Sequence, residues 1–361
     1  MVKPIQQDNS EIQFRTPGAQ EWAEAAQQEL GSANSIGKLQ VFKGELVIEP
    51  YYKKHDKNQS DFSLPVSDSK IYGPRTWQNM PAIKVIDEKK ANIRALYYLS
   101  TGADGILFVI DRNEINYEAL LTNIGVSHCA VSFLIETGYE SEAERFLKSP
   151  YTQTLTGCLF YRQPPIFKQN LIGTSTTFQT CGICITPTEN PVDELVQALE
   201  NGVTILDVFT DKGLTPDAIA SQIAFHIQVD VDFFLSIAKL KTLKKLWNTV
   251  LEAYAVVGTD TPIHAVSIAW SKETFQPHGN LIKSTTTALA AIAGGCRYLS
   301  VQPESDEEPG NRASRLVSEV LREESHLSKV ADPTAGSYYL DSLIQQLSEK
   351  AWLKFLTRVQ A

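Results

Sequence analysis

The chain has 361 residues with 43% hydrophobic, 21% charged and 9% aromatic content, an ordinary apolar share that argues against disorder. Forty-two acidic against 33 basic side chains leave a formal charge of −9, and no basic stripe marks a nucleic-acid partner. No uncharged apolar run reaches the roughly 18 residues that a membrane span needs, and five cysteines, odd and sparse, fit a reducing, cytoplasmic setting better than a disulfide scaffold.

Residues 1–54 read as an N-terminal arm. Thr16-Pro17 is a helix-start signal, a helix is expected through Leu30, and Gly31 stops it. Leu39–Phe42 and Glu45–Ile48 flank Lys43-Gly44, the pattern of a two-residue hairpin. Residues 55–76 are polar and Ser/Asn-rich, a linker.

From Trp77 the chain alternates strand and helix eight times. The expected strands are Ala82–Ile86, Gly105–Ile110, Cys129–Ile135, Thr156–Arg162, Thr180–Ile185, Ser221–Val229, Ile263–Trp270 and Tyr298–Val301. Runs such as GILFVI, apolar at every position, belong to strands buried on both faces of a parallel sheet. Helices are expected at Lys89–Ser100, Tyr117–Ile124, Glu140–Lys148, Val192–Asn201, Asp232–Ala255, Leu281–Ala293 and Ala313–Glu324, with a poor helix after Thr156–Arg162 as the eighth. Alternation implies parallel pairing through right-handed crossovers, and eight units are the count of a (β/α)8 TIM barrel spanning 77–331. A doubly wound sheet is disfavoured because no G-x-G-x-x-G exists. Residues 332–361 read as one C-terminal packing helix with Leu340, Leu343, Leu347, Ala351, Leu353 and Phe355 mostly on one stripe.

Local chemistry is sparse. Cys181 and Cys184 form a CxxC inside a strand, where three-residue spacing points the thiols to opposite faces, and no second pair completes a zinc set. The histidines lack any metal-binding spacing, so no metal is expected. His226 and His264 lie in strands six and seven, either of which could face the barrel interior. Ser132, Thr156, Thr180, Ser221 and Ser267 sit in or beside strands, and a hydroxyl-lined interior could admit an extended polar ligand along the axis.

Several segments carry a family resemblance. Asp232–Leu240 with Leu246-Trp247, Gln276–Thr286, and Leu321–Leu327 followed by Asp332–Tyr339 resemble the D-F-F-x-x-I-A-K, Q-P-x-x-N-x-x-R-T-T and D-P-x-G-G-S-Y-Y segments of the methylmalonyl-CoA mutase family. Glu349–Trp352 completes a match whose spacing holds across Val192–Trp352. Upstream, Glu21-Trp22, Ile48–Tyr52 and Trp77–Val85 look more like the small subunit of two-chain mutases than the large one.

The resemblance implies a barrel that, in catalytic members, threads the pantetheine arm of a CoA thioester down its axis. Adenosylcobalamin, on a separate domain, then supports a radical rearrangement at the barrel mouth. Three departures are visible. No histidine here has Asp two residues before it, as the D-x-H-x-x-G cobalamin ligand requires. At strand five, Thr176–Ile183 holds neither the Tyr nor the His of catalytic chains; Ile183 cannot bond a thioester carbonyl and Gln179 could do so only in part. The arm also lacks the large-subunit segment that meets the CoA-binding face. By resemblance the chain is therefore expected to be a non-catalytic partner of a large catalytic subunit in a heterodimer, with adenosylcobalamin in the assembled enzyme and none on this chain alone. Two alternatives remain: an acyl-CoA-binding barrel of a split mutase, and a non-enzymatic CoA or cofactor module. Gln276, Asn280 and Lys283, after strand seven, are the ligand-facing candidates by resemblance, with Lys283 in place of the family's Arg; Gln179, His226 and His264 are alternates.

Overall fold

The computed structural model describes residues 17–31, 35–53, 62–67, 69, 72–163, 172, 175–267, 279–305 and 307–359. The chain forms two compact units, Met1–Lys57 and Asn58–Ala361.

In the first unit, helix α1 (Ala19–Leu30) starts two residues later than Thr16-Pro17 suggests: Gly18 is the N-cap, and its backbone N–H donates to the Glu21 carboxylate at 2.9 Å. Strands β1 (Val41–Lys43) and β2 (Leu46–Ile48) pair antiparallel with Lys43 opposite Leu46, so the turn is Gly44-Glu45 rather than Lys43-Gly44. The shift has a backbone cause, since Gly44 adopts φ +56°, as the first residue of a primed hairpin turn requires. Trp22 stacks on Tyr51 at 5.0 Å.

The second unit is a closed parallel barrel. Its strands are β3 (Gln78–Asn79), β4 (Ala82–Lys84), β5 (Gly105–Ile110), β6 (Ala130–Ile135), β7 (Gly157–Tyr161), β8 (Phe178–Cys184), β9 (Ile223–Val229), β10 (Ile263–Ser267) and β11 (Tyr298–Ser300). The sheet order runs β3-β11-β10-β9-β8-β7-β6-β5-β4. Its two ends, β3 and β4, are halves of one strand separated by Met80-Pro81, so the sheet closes on itself and the barrel has eight staves. Pro81 explains the break, because it has no N–H to offer the ladder. At the seam Asp104 accepts from the Asn79 amide (2.8 Å) and from Arg322 (2.7 Å), while Arg322 also donates to the Trp77 carbonyl.

The outer ring is α2 (Glu88–Ser100), α3 (Tyr117–Leu121), α4 (Glu140–Leu147), α5 (Pro191–Thr210), α6 (Pro216–Ala220), α7 (Phe233–Ala253), α8 (Gly279–Ala293) and α9 (Glu308–Glu319), then α10 (Tyr338–Val359). Their starts are chemically specified. Asp87, Asn116, Asn190, Thr215 and Asp232 each cap a helix with a side-chain oxygen, and Pro191 and Pro216 occupy first-turn positions. The last helix begins at Tyr338, not Asp332, because 333–336 are a turn and Gly336 takes φ +81°.

Between barrel and ring, Phe108, Phe133, Phe146, Phe178 and Tyr117 form a continuous aromatic layer with centroids 4.5–5.8 Å apart. Helix α7 buries Ile237, Leu240, Leu243, Trp247, Val250 and Leu251, spaced at three and four residues. It crosses α5 at Gly202, where a Cβ would stand 2.4 Å from the Trp247 ring. Two buried ion pairs pin the same helix: Lys239 to Glu194 at 2.6 Å, and Lys241 to both oxygens of Asp332 at 2.8 Å. Removing one member of such a pair leaves an uncompensated buried charge, a loss of about 3–5 kcal/mol.

Candidate functional site

Barrel sites form at the C-terminal ends of the strands. There the structure has a cavity of about 230 Å³, floored by Leu107, Val109 and Leu134 and rimmed by Glu136, Arg162, His226, Gln228 and Gln302. Glu136 follows β6 and Arg162 follows β7, and these strands are neighbours. The two side chains therefore meet as a bidentate pair, Nε to Oε2 at 3.2 Å and Nη2 to Oε1 at 2.9 Å. That bonding raises the Arg162 pKa.

Directly below, the axis is filled. Leu134, Phe160 and Gly182 share one register level, as do Cys184, His226, His264 and Tyr298. The Phe160 ring projects from β7 and reaches His226 at 5.2 Å and His264 at 5.6 Å, on strands β9 and β10 that β7 does not pair with. It has room because Gly182 lacks a side chain: a Cβ there would lie 2.5 Å from the Phe160 ring. Met80, Cys158 and Tyr298 close the layer, each at most 1% exposed.

The hydroxyls expected to line a tunnel are committed elsewhere. Ser132 accepts from the Cys158 amide (3.0 Å), Thr180 donates to Gln222 (3.1 Å), Ser221 donates to the Ala218 carbonyl (2.8 Å), and Ser267 accepts from the Gln302 amide (2.8 Å). Thr156 is half-buried ahead of β7. The hydroxyl-lined channel suggested by residue type is thus a packed core: Ser132, Thr180 and Ser267 are bonded within the barrel wall, and Ser221 ends helix α6 rather than lying in a strand.

Both interior histidines are uncharged at neutral pH. Burial, with Arg162 nearby, drives His226 down to about 3, and burial with His226 drives His264 well below the ordinary range. Ser300 donates its hydroxyl proton to the Met80 carbonyl, so it accepts from His264 Nε2 at 2.7 Å, which fixes the Nε2–H tautomer. Neither ring is an effective base near pH 7. The thiols are equally inert. All five cysteines are free, and burial lifts Cys181, Cys184 and Cys296 to about 12. Among the described residues no His/Cys/Asp/Glu cluster could hold a metal.

The residues singled out from sequence do not converge. His226 lines the mouth and His264 lies in the layer beneath it. Gln179 stands near the start of β8, opposite Cys158, at the other end of the barrel from the mouth. Asn280 and Lys283 are half-buried in the first turns of α8, and Gln276 lies outside the described residues. Glu136, Arg162, Gln228 and Gln302 were not singled out, although each sits at or just beyond the C-terminal end of a strand, a position that alone marks mouth residues in this fold. A cobalt corrin held through an axial imidazole does not fit these residues. Among the described residues, the histidine lining the mouth, His226, is 6% exposed, and the cavity is far smaller than a corrin.

Comparison with known proteins gives a consistent picture. Residues 185–361 match the family Methylmalonyl-CoA mutase. The methylmalonyl-CoA mutase small subunit of Porphyromonas gingivalis is 26% identical, aligned over 86% of this chain and 57% of that one. The small subunit from Streptomyces virginiae is 35% identical over 44% of this chain and 27% of its own, and the probable small subunit of Mycobacterium bovis is 30% identical over 45% and 28%. The chain thus spans little more than half the length of the first of these relatives and about a quarter of the others.

Proposed function

From a chain whose residues 185–361 belong to the methylmalonyl-CoA mutase family, we propose a small-subunit-like component of that mutase, a non-catalytic partner of a cobalamin-dependent large subunit that interconverts methylmalonyl-CoA and succinyl-CoA. The observation that carries this reading is the filled axis. A barrel that binds a pantetheine arm along its centre needs a channel, and here Phe160, His226, His264 and Tyr298 occupy that space. The neutral imidazoles and protonated thiols add no acid, base or nucleophile. Adenosylcobalamin belongs, in this reading, to the large subunit. The relatives named small subunits support the partnership. No helix among the described residues is long and apolar enough to cross a membrane, and the free cysteines support a reducing, cytoplasmic setting.

A second reading, an acyl-CoA-binding barrel that borrows a cobalamin domain, draws on the mouth cavity and its Arg162–Glu136 pair. The cavity can admit an acyl head, but no space for the arm continues below it.

The test is reconstitution. The large subunit is produced with and without this chain, and isomerase activity and solubility are compared. The expected result is that activity and soluble yield depend on co-production, and that Glu136→Gln/Arg162→Gln in this chain leaves turnover unchanged. Full turnover by the large subunit alone would remove the partner reading.

A further inference from the structure

At the opposite, N-terminal end of the barrel, two adjoining cavities form one cleft with apolar and cationic halves. The apolar half, about 260 Å³, is walled by Phe62, Phe225, Leu243, Trp247 and Ile263. The polar half, about 210 Å³, contains Arg75, Lys244 and Arg297. Pro65, Lys244 and Asp260 line both, so the halves are continuous.

The charge here runs against that of the chain. On a protein of net charge −9, three cations face the polar half against one carboxylate, Asp260. That carboxylate is divided between Lys244 at 3.2 Å and Arg297 at 3.6 Å and is half exposed, so it holds both weakly. Arg75 is the unusual member. It is 4% exposed, yet among the described residues its hydrogen-bond partners are carbonyl oxygens: Nε and Nη2 donate to Ala331, and Nη2 also reaches Pro65 at 3.5 Å. Its Nη1 makes no hydrogen bond among the described residues, and no carboxylate pairs with it. Burial lowers its pKa, and the more distant Asp332 and Asp260 offset this only in part. Such a group is stable when an anion completes it, and a guanidinium offers paired donors that suit phosphate or carboxylate.

We propose that this cleft binds a small amphipathic anion, with a phosphate or carboxylate between Arg75, Lys244 and Arg297 and an apolar group against Trp247 and Leu243. Most ligand pockets combine an apolar wall with a few convergent polar groups in this way. The site lies away from the barrel mouth and does not depend on whether this chain pairs with a mutase subunit.

Phenyl phosphate carries both features and is the probe. Calorimetric titration of the full chain is expected to give one-to-one binding about tenfold or more tighter than either inorganic phosphate or benzyl alcohol, because each of these fills only one half. Arg297→Gln, at an exposed position, is expected to weaken phenyl phosphate about three- to tenfold without affecting folding, and Asn248→Trp, an exposed residue at the apolar half, to block it. Benzyl phosphonate and phenylacetate distinguish a phosphate-type from a carboxylate-type preference, and binding of either anion supports the site. Phenyl phosphate no tighter than inorganic phosphate, or unaffected by both variants, overturns it.

Discussion

Replacing Phe160 by Ala is expected to lower the stability of the barrel unit by about 3–5 kcal/mol, the range for a fully buried aromatic truncated to Ala. The ring is 0% exposed and touches strands on both sides of the axis, so no single neighbour can move in to fill the space. The vacated volume would be lined by His226, His264 and Tyr298, whose polar atoms could hold water but not rebuild the packing. Urea denaturation checks this. The midpoint should fall with little change in slope, since the surface exposed on unfolding is nearly the same. A loss under about 1 kcal/mol would mean that the axis is not packed around this ring.

Acid should destabilise the barrel early. The sign follows from linkage: His226 has a folded pKa of about 3 against an unfolded 6.5, so between these values the unfolded chain binds a proton that the folded chain refuses. Stability is full above the unfolded value and falls as pH drops through 6.5 toward 3. His264, also depressed by burial, acts in the same direction. At pH 5 the His226 ring alone costs about 2 kcal/mol, an order-of-magnitude figure from about 1.4 kcal/mol per pH unit per proton. Comparing urea stabilities at pH 7 and pH 5 in the native chain and in His226→Gln isolates the effect from the carboxylates. The variant should lose about 2 kcal/mol less stability than the native chain between pH 7 and pH 5. Equal slopes in the two proteins would show that the His226 imidazole is not buried in its neutral form.

The same two histidines show how far the sequence can be read. Their strand positions were legible, because His226 and His264 sit in the mostly apolar segments IAFHIQV and IHAVS, in a chain whose runs such as GILFVI and AVSFLI mark strands buried on both faces of a parallel sheet. The eight-unit count was legible for the same reason. What they face was not, since a strand buried on both sides has no polar face to mark its orientation. Residue type also misleads inside the barrel. Ser132 and Thr180 look like channel lining until the register places an amide and a glutamine within reach. The bulge between β7 and β8 at Cys158 and Phe160 changes which residues look inward, and no local pattern announced it. Short elements escaped as well. Helix α6, five residues long, begins at Thr215-Pro216, where no helix was expected, and Met80-Pro81 divides the first stave in a way that periodicity cannot see. The mouth pair Glu136–Arg162 was hidden because its members are 26 residues apart and meet only through adjacent strand ends.

The N-terminal cleft illustrates the converse. Arg75, Lys244 and Arg297 are unremarkable in sequence, scattered through a chain rich in charge, and only barrel closure brings them to one wall. Burial then separates them: Arg297 and Lys244 share a carboxylate, whereas Arg75 is left with carbonyls.

A barrel axis closed to a thioester arm is probed by titrating methylmalonyl-CoA into the Asn248→Trp chain, in which the cleft at the N-terminal face is blocked. The account predicts no saturable heat from this chain alone, and heat only when the large subunit is present. Saturable one-to-one binding by this chain on its own would mean that the space around Phe160 opens to admit the arm, and the barrel would then be a substrate-binding half rather than a partner.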